Sequence, residues 1–259
     1  YSRRSIVKFI NERVSRNGCC VFTNGITNKT FCVIYDEDKD DKLIFRVFGA
    51  DSDKIIDRES ELANLERLLE NGLAAPVYAK FENGLVYGYL PGECLSIKSV
   101  RNPSIVEKIC VSLVSLHKIS LTKEEQNQRS SFYIKSKKWL ETLPNKISSE
   151  KSQQQFNEYF ANIDLLDQFN QLIIFIENIY SPLVFSHNDL LIYNSVEDIP
   201  NYELNGPTNI EREYLLKCYF FHFLGKPLDD LELKNLLNQL IIFESASHFF
   251  WTLWAIHQS

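Results

Sequence analysis

At 259 residues the chain exceeds the size at which a single core keeps growing, yet it is short for two independent domains, which leaves one domain or two intimate lobes. Apolar residues at 44% and charged residues at 24% are ordinary globular usage and exclude a disordered polymer. The net charge of −6 argues against a nucleic-acid or anionic-membrane surface and is compatible with a cationic ligand.

The chain opens on Tyr1-Ser2-Arg3-Arg4, with no signal-peptide apolar region, and no later apolar run approaches the roughly 20 residues of a membrane span. A cytoplasmic protein without membrane insertion is the expectation. The cysteines Cys19, Cys20, Cys32, Cys94, Cys110 and Cys218 lack the paired spacing of a zinc site and are expected to be reduced thiols.

Cys20 to Phe22, Lys29 to Tyr35 and Leu43 to Phe48 are rich in β-branched and aromatic residues and predict strands. A glycine-containing turn over Thr23 to Asn28 and a charged hairpin loop over Asp36 to Lys42 separate them. Leu62, Leu65, Leu68 and Leu69 then fall on one stripe of a helix over Ser60 to Asn71, with Gly72 as its C-cap. Val77 to Phe81 and Leu85 to Leu90 flank Glu82-Asn83-Gly84, a hairpin signal, and Pro91-Gly92 closes it.

From here the pattern turns helical. A helix opens at Pro103 with Ser104 as N-cap and Glu107 in capping-box position, and Ile105, Ile109, Leu113 and Leu116 follow at helical spacing. Residues 121 to 131 are polar and predict a loop. Long helices are expected over Phe132 to Leu143 and Glu150 to Tyr180, and a last one over Leu231 to His257 that carries Phe243, Phe249, Phe250, Trp251 and Trp254. The expected fold is α+β and two-lobed, with an N-terminal antiparallel-sheet lobe over 1–90, a larger helical lobe over 91–259, and the chemistry between them.

The chemistry is carried by Val184-Phe185-Ser186-His187-Asn188-Asp189-Leu190-Leu191-Ile192-Tyr193-Asn194. His, then Asp two residues on, then Asn five after that is the spacing of kinase catalytic loops. There the Asp accepts a substrate hydroxyl proton and the Asn gives a hard amide oxygen to a magnesium ion on the phosphates. A chance match in a polar turn is the plain alternative for three fixed residues.

Around this motif the sequence resembles the choline/ethanolamine kinase family, in the run His187-Asn188-Asp189-Leu190-Leu191 with Asn194. Matching words recur in order: Gly25-Ile26-Thr27-Asn28-Lys29, Phe45-Arg46-Val47-Phe48-Gly49, Asp57-Arg58-Glu59 with Glu61, Asn83-Gly84-Leu85, Pro91-Gly92-Glu93 and Ser247 to Trp251 with Leu253-Trp254-Ala255. The resemblance implies a protein-kinase-like fold and transfer of the ATP γ-phosphoryl group to choline, with ethanolamine as the alternative. A catalytically inactive binding protein is the further alternative.

The resemblance also distributes roles. Asp189 is the expected base and Asn194 the expected magnesium ligand. Gly25, Thr27 and Asn28 form the nucleotide-covering turn, Arg46 holds phosphate, Glu61 holds Arg46, and Tyr89 marks the adenine hinge. Trp251 and Trp254 wall the ammonium pocket, a use that indole faces suit. On spacing alone, two tryptophans three apart are core, and Arg46 is either a cleft residue opposite Phe45 and Val47 or a solvated arginine. His248 is expected in the core or behind the site, His117, His222 and His257 carry no signal, and a homodimer is allowed.

One family signature has no match. After Asn194 the chain reads Ser195-Val196-Glu197-Asp198-Ile199-Pro200, without an Ile-Asp-x-Glu stretch on an apolar strand, and Asp198 lacks the flanks to replace it. The chain also contains no methionine. Residues missing after Asn194 are the expected cause, and true loss of the metal-binding Asp is the alternative.

Overall fold

The structure, a computed structural model, describes residues 19–22, 28–36, 41–49, 57–93, 95–144, 149–188 and 206–258. Its contacts divide the described residues into two units, the first ending at Ser96 and the second beginning at Ile97.

The described part of the first unit is an antiparallel sheet of five strands with a helix. The strands are β1 (Cys19–Phe22), β2 (Asn28–Asp36), β3 (Asp41–Phe48), β4 (Val77–Phe81) and β5 (Gly84–Gly88), in the order β1-β2-β3-β5-β4. Period-2 alternation sorts their side chains onto two faces. Val33, Phe45 and Val86 make the core of one face, with Phe31, Leu43, Ala79 and Phe81 packed around them, and the rings of Phe31 and Phe45 stack at 5.3 Å. The other face carries Cys32, Ile44, Arg46, Leu85 and Tyr87, because Arg46 pairs with Leu85 and Ile44 with Tyr87 across β3 and β5.

Helix α1 (Arg58–Glu70) starts two residues before the expected Ser60, because the Asp57 carboxylate accepts from the amides of Glu59 and Ser60 and so caps the helix earlier. Of its leucine stripe, Leu62, Leu65 and Leu68 are half-buried and Leu69 is exposed. Gly72 takes a left-handed φ of 70° just beyond the end.

The described part of the second unit is helical throughout. A 3-10 turn (Ser99–Arg101) precedes α2 (Pro103–His117), followed by α3 (Lys123–Gln126), α4 (Ser131–Glu141), α5 (Glu150–Phe160), α6 (Leu165–Glu177), α7 (Asn209–Leu224) and α8 (Asp230–Gln258). Three expectations are corrected here. The cap of α2 is Asn102, whose side chain accepts from the Ser104 amide; Pro103 occupies the first helical position, where its fixed φ and missing N–H suit it, so Ser104 lies inside the helix. The polar stretch read as a loop contains α3, started by a complete Thr122–Glu125 capping box. The helix expected over Glu150 to Tyr180 is two, because Asp164 turns back to cap α6 through the amides of Leu166 and Asp167.

Helices α2 and α7 pack on each other, with Cys110 buried between them and His117 sharing a 2.7 Å hydrogen bond with Tyr219. Helix α8 packs against α4, α6 and α7, burying Leu233, Ala246, Leu253 and Ile256. Among the described residues no helix is long and apolar enough to cross a membrane.

Candidate functional site

Arg46 stands on β3 between Phe45 and Val47, and the pleat sends it to the face opposite the buried Phe45 ring. It is not a solvated arginine: its Nη1 donates to Glu61 Oε1 at 2.8 Å, and the two side chains are only 28% and 22% exposed. Glu61 reaches this point because it lies in the first turn of α1, where a carboxylate also meets the positive end of the helix dipole. Its second oxygen accepts from Arg58 Nη1 at 2.6 Å, and the Arg58 guanidinium lies 3.8 Å over the Phe48 ring.

Two further residues of this face belong to the same neighbourhood. Tyr87 is two places from Leu85, the cross-strand partner of Arg46. Burial raises its phenol pKa, while the Arg46 charge works against that rise and the Glu61 charge adds to it. Tyr87 escaped sequence reasoning, although the alternation Leu85-x-Tyr87 puts it on the face of Arg46. Gly84 is the second: a β-carbon there would lie 2.5 Å from the Arg46 carbonyl oxygen, so only glycine lets β5 approach β3 at this point.

Asn28 opens β2 opposite Phe48 and is half-buried. Tyr89 follows β5 directly, with the Lys42 ammonium 5.1 Å above its ring. Gly25 and Thr27 lie outside the described residues, as do Asp189, Asn194 and Asp198. In the first unit, then, Arg46 and Glu61 come together as expected, with Arg58 as an addition that sequence reasoning gave no role.

In the second unit the catalytic-loop motif is described as far as Asn188. This residue adopts a left-handed φ of 60°, the sole positive φ outside glycine among the described residues, and its side-chain amide donates to the Ser131 hydroxyl at 3.3 Å. Asn is among the few residues that tolerate this conformation. The loop entrance is therefore tied to the first residue of α4.

Trp251 and Trp254 share one face of α8, edge to face at 5.7 Å, and both are half-buried. They border an aromatic cluster in which Phe250 contacts Trp139 at 4.7 Å and Phe249 stacks on Phe169 at 6.0 Å. The indoles are neither sealed in the core nor fully exposed. His248, expected in the core or behind the site, is exposed, because it lies on the side of α8 away from Ala246 and Leu253. His257, which carried no sequence signal, is hydrogen-bonded at 3.0 Å to the Trp139 carbonyl and pins the end of α8 to α4.

The half-buried Arg46 fork, steadied by a carboxylate, suits a phosphate oxygen by geometry and charge. For a magnesium ion the described residues hold no group of three or more His, Cys, Asp or Glu side chains. The Asn194 amide oxygen fits a hard cation by its chemistry.

Comparison with known proteins agrees with this arrangement. The sequence profile described as choline/ethanolamine kinase matches residues 19–205. Mouse ethanolamine kinase 1 is 27% identical over 92% of this chain and 76% of its own length. Drosophila melanogaster ethanolamine kinase is 29% identical over 85% of this chain, which spans half of that protein. Among solved structures, the Plasmodium vivax ethanolamine kinase superposes with a TM-score of 0.70 at 25% identity, covering 96% of this chain and 79% of that one. A choline kinase from Cryptosporidium parvum shares the fold at the same TM-score of 0.70 with 17% identity, covering 98% and 89%.

Proposed function

The chain belongs to the choline/ethanolamine kinase family, and from that premise we propose that it transfers the γ-phosphoryl group of ATP to the hydroxyl of a small amino alcohol, ethanolamine in preference to choline. The observation that carries the phosphotransfer reading is the Arg46–Glu61 pair at 2.8 Å, a guanidinium held by a helix carboxylate on the sheet, as the lysine of protein kinases is held by its helix glutamate. Choline was the expectation from the family resemblance, with ethanolamine as the alternative. The relatives named ethanolamine kinase support the alternative better.

In this reading the catalytic work is positioning and charge neutralisation. Arg46 binds a phosphate oxygen through its fork of donors and Glu61 fixes its direction. The turn around Gly25, Thr27 and Asn28 covers the phosphates, and Tyr89 marks the adenine hinge. Asp189 accepts the hydroxyl proton as the oxygen attacks phosphorus, and Trp251 and Trp254 receive the ammonium group. Asn194 would hold magnesium, which would neutralise phosphate charge. These roles lie in a nucleotide-binding lobe over 1–90 and a substrate lobe over 91–259.

A second reading is favoured by one feature, the missing Ile-Asp-x-Glu stretch after Asn194: a family member that binds nucleotide without turning it over. The deciding experiment is ADP release, followed in a coupled assay with ethanolamine, choline or neither. Ethanolamine-dependent ADP production with a higher kcat/KM than for choline supports the proposal. ATP binding without ADP release from either alcohol overturns it for the second reading.

A further inference from the structure

Arg58 occupies a place that helix stability does not explain. It is the first residue of α1, where the positive end of the helix dipole disfavours a cation, and Asp57 already caps the helix. Its interactions run sideways instead, to Glu61 one turn on at 2.6 Å and to the face of Phe48 at 3.8 Å. Phe48 is two residues from Arg46 on β3, so both side chains leave the same face of the strand. Arg58 therefore joins the first turn of α1 to the strand that carries Arg46.

Glu61 divides its two oxygens, Oε1 to Arg46 and Oε2 to Arg58. A carboxylate with one partner can turn about its last torsion, a broad and weakly restricted one. A carboxylate gripped on both oxygens cannot. Of the two arginines, Arg58 is the more enclosed, 15% exposed against 28% for Arg46, and one of its faces is covered by a ring. Arg46 is thus the one left with room for a ligand, and Arg58 the one placed to hold the carboxylate.

We infer that Arg58 is a positioning residue for nucleotide binding: clamped on Phe48, it fixes the Glu61 carboxylate so that Arg46 is presented to the ATP phosphates. The inference rests on the reading of Arg46 as a phosphate ligand. It also accounts for arginine rather than lysine at this position, since only a planar guanidinium can stack on the ring while donating in plane to Oε2.

The test is a double-variant cycle on the dissociation constant for ATP, measured by calorimetry in magnesium buffer with the full chain, alongside thermal midpoints. Arg46→Ala and Arg58→Ala should each weaken ATP about tenfold, the scale of one charge-assisted hydrogen bond. The double variant should be no weaker than Arg46→Ala alone, because Arg58 acts through Arg46. Arg58→Lys should recover less than half of the loss. If Arg58→Ala does not fold, Arg58→Lys is combined with Arg46→Ala in the same cycle, where the loss seen with Arg58→Lys alone should again vanish.

Unchanged ATP affinity in the Arg58 variants, or losses that add in the double variant, overturn the inference while Arg46→Ala still weakens binding. If Arg46→Ala itself leaves ATP binding unchanged, the phosphate reading fails and the inference falls with it.

Discussion

A β-carbon on Gly84 would stand 2.5 Å from the carbonyl oxygen of Arg46, closer than the two atoms can come. The strand that bears the basic residue is thus seated against a strand whose first residue must have no side chain. Replacing Gly84 with Ala is expected to push β5 away from β3 and tilt Arg46 off Glu61. Stability should fall by roughly 1–3 kcal/mol, the range of overpacked sites, and ATP affinity should fall with it. Gly88→Ala is the control, its nearest obstacle being the Pro76 ring at 3.3 Å, and should cost less on both counts. Thermal melts and ATP calorimetry on the two variants decide the point, and equal losses would count against it.

Asp189→Asn keeps the shape of the proposed base and removes most of its proton affinity. Turnover should drop on the order of 10²–10⁴-fold, while the ATP dissociation constant stays near that of the wild type. Steady-state rates from ADP release test this, and near-normal turnover removes Asp189 from the mechanism.

Asn188 precedes it with φ at 60° and a hydrogen bond to Ser131. Asn188→Gly preserves the backbone conformation, whereas Asn188→Val forces a β-branched residue into the left-handed region at a cost of roughly 1–2 kcal/mol or more. The expected order of kcat is wild type, then Gly, then Val. Ser131→Ala should resemble Asn188→Gly, since either change removes the same bond. A valine variant with wild-type kcat would show that the loop entrance does not set the geometry of the base.

Substrate choice can be read from Trp254. Choline's methylated head cannot donate hydrogen bonds and must rest on aromatic faces, whereas ethanolamine brings three donors that require acceptors. Trp254→Leu removes a cation–π contact of about 0.5–2 kcal/mol and should reduce kcat/KM for choline more than for ethanolamine. The wild type is expected to prefer ethanolamine. Equal losses for both alcohols would mean that the half-buried indole only packs against Trp251.

Acid sensitivity should arise between α2 and α7. Burial lowers the His117 pKa below its ordinary 6.5, so the folded state keeps the ring neutral while the unfolded chain takes up a proton. The stabilising contribution is complete above pH 6.5 and is lost as pH falls toward the lowered value. Thermal midpoints should therefore decline on the acid side of pH 6.5, and His117→Gln should flatten that decline. An identical slope in the variant would place the acid sensitivity elsewhere.

Much of the first unit could be read from one dimension because its information is local. Alternation fixes which strand residues share a face, so the opposition of Arg46 to Phe45 followed from the sequence, as did the hairpin at Glu82-Asn83 and the α+β class. The family words did the rest, since ordered motifs constrain a fold more than any periodicity. Helix ends were read less well. Asp57, Asn102 and Asp164 each cap a helix through a side-chain hydrogen bond, and several polar residues near each boundary could have done so.

What the residues alone left open were pairings across the chain. Nothing in the sequence said that Glu61 is shared by two arginines or that Asn188 binds Ser131 across 57 residues. Such contacts depend on strand register and on which helix face meets the sheet, quantities set by the packing of whole elements. Trp251 and Trp254 illustrate the same limit: helical spacing put them on one face of α8, but that they end half-buried, with Phe250 edge to face on Trp251, is a property of the folded chain. Composition fixes the amount of apolar surface to be covered, and the tertiary arrangement chooses which residues cover it.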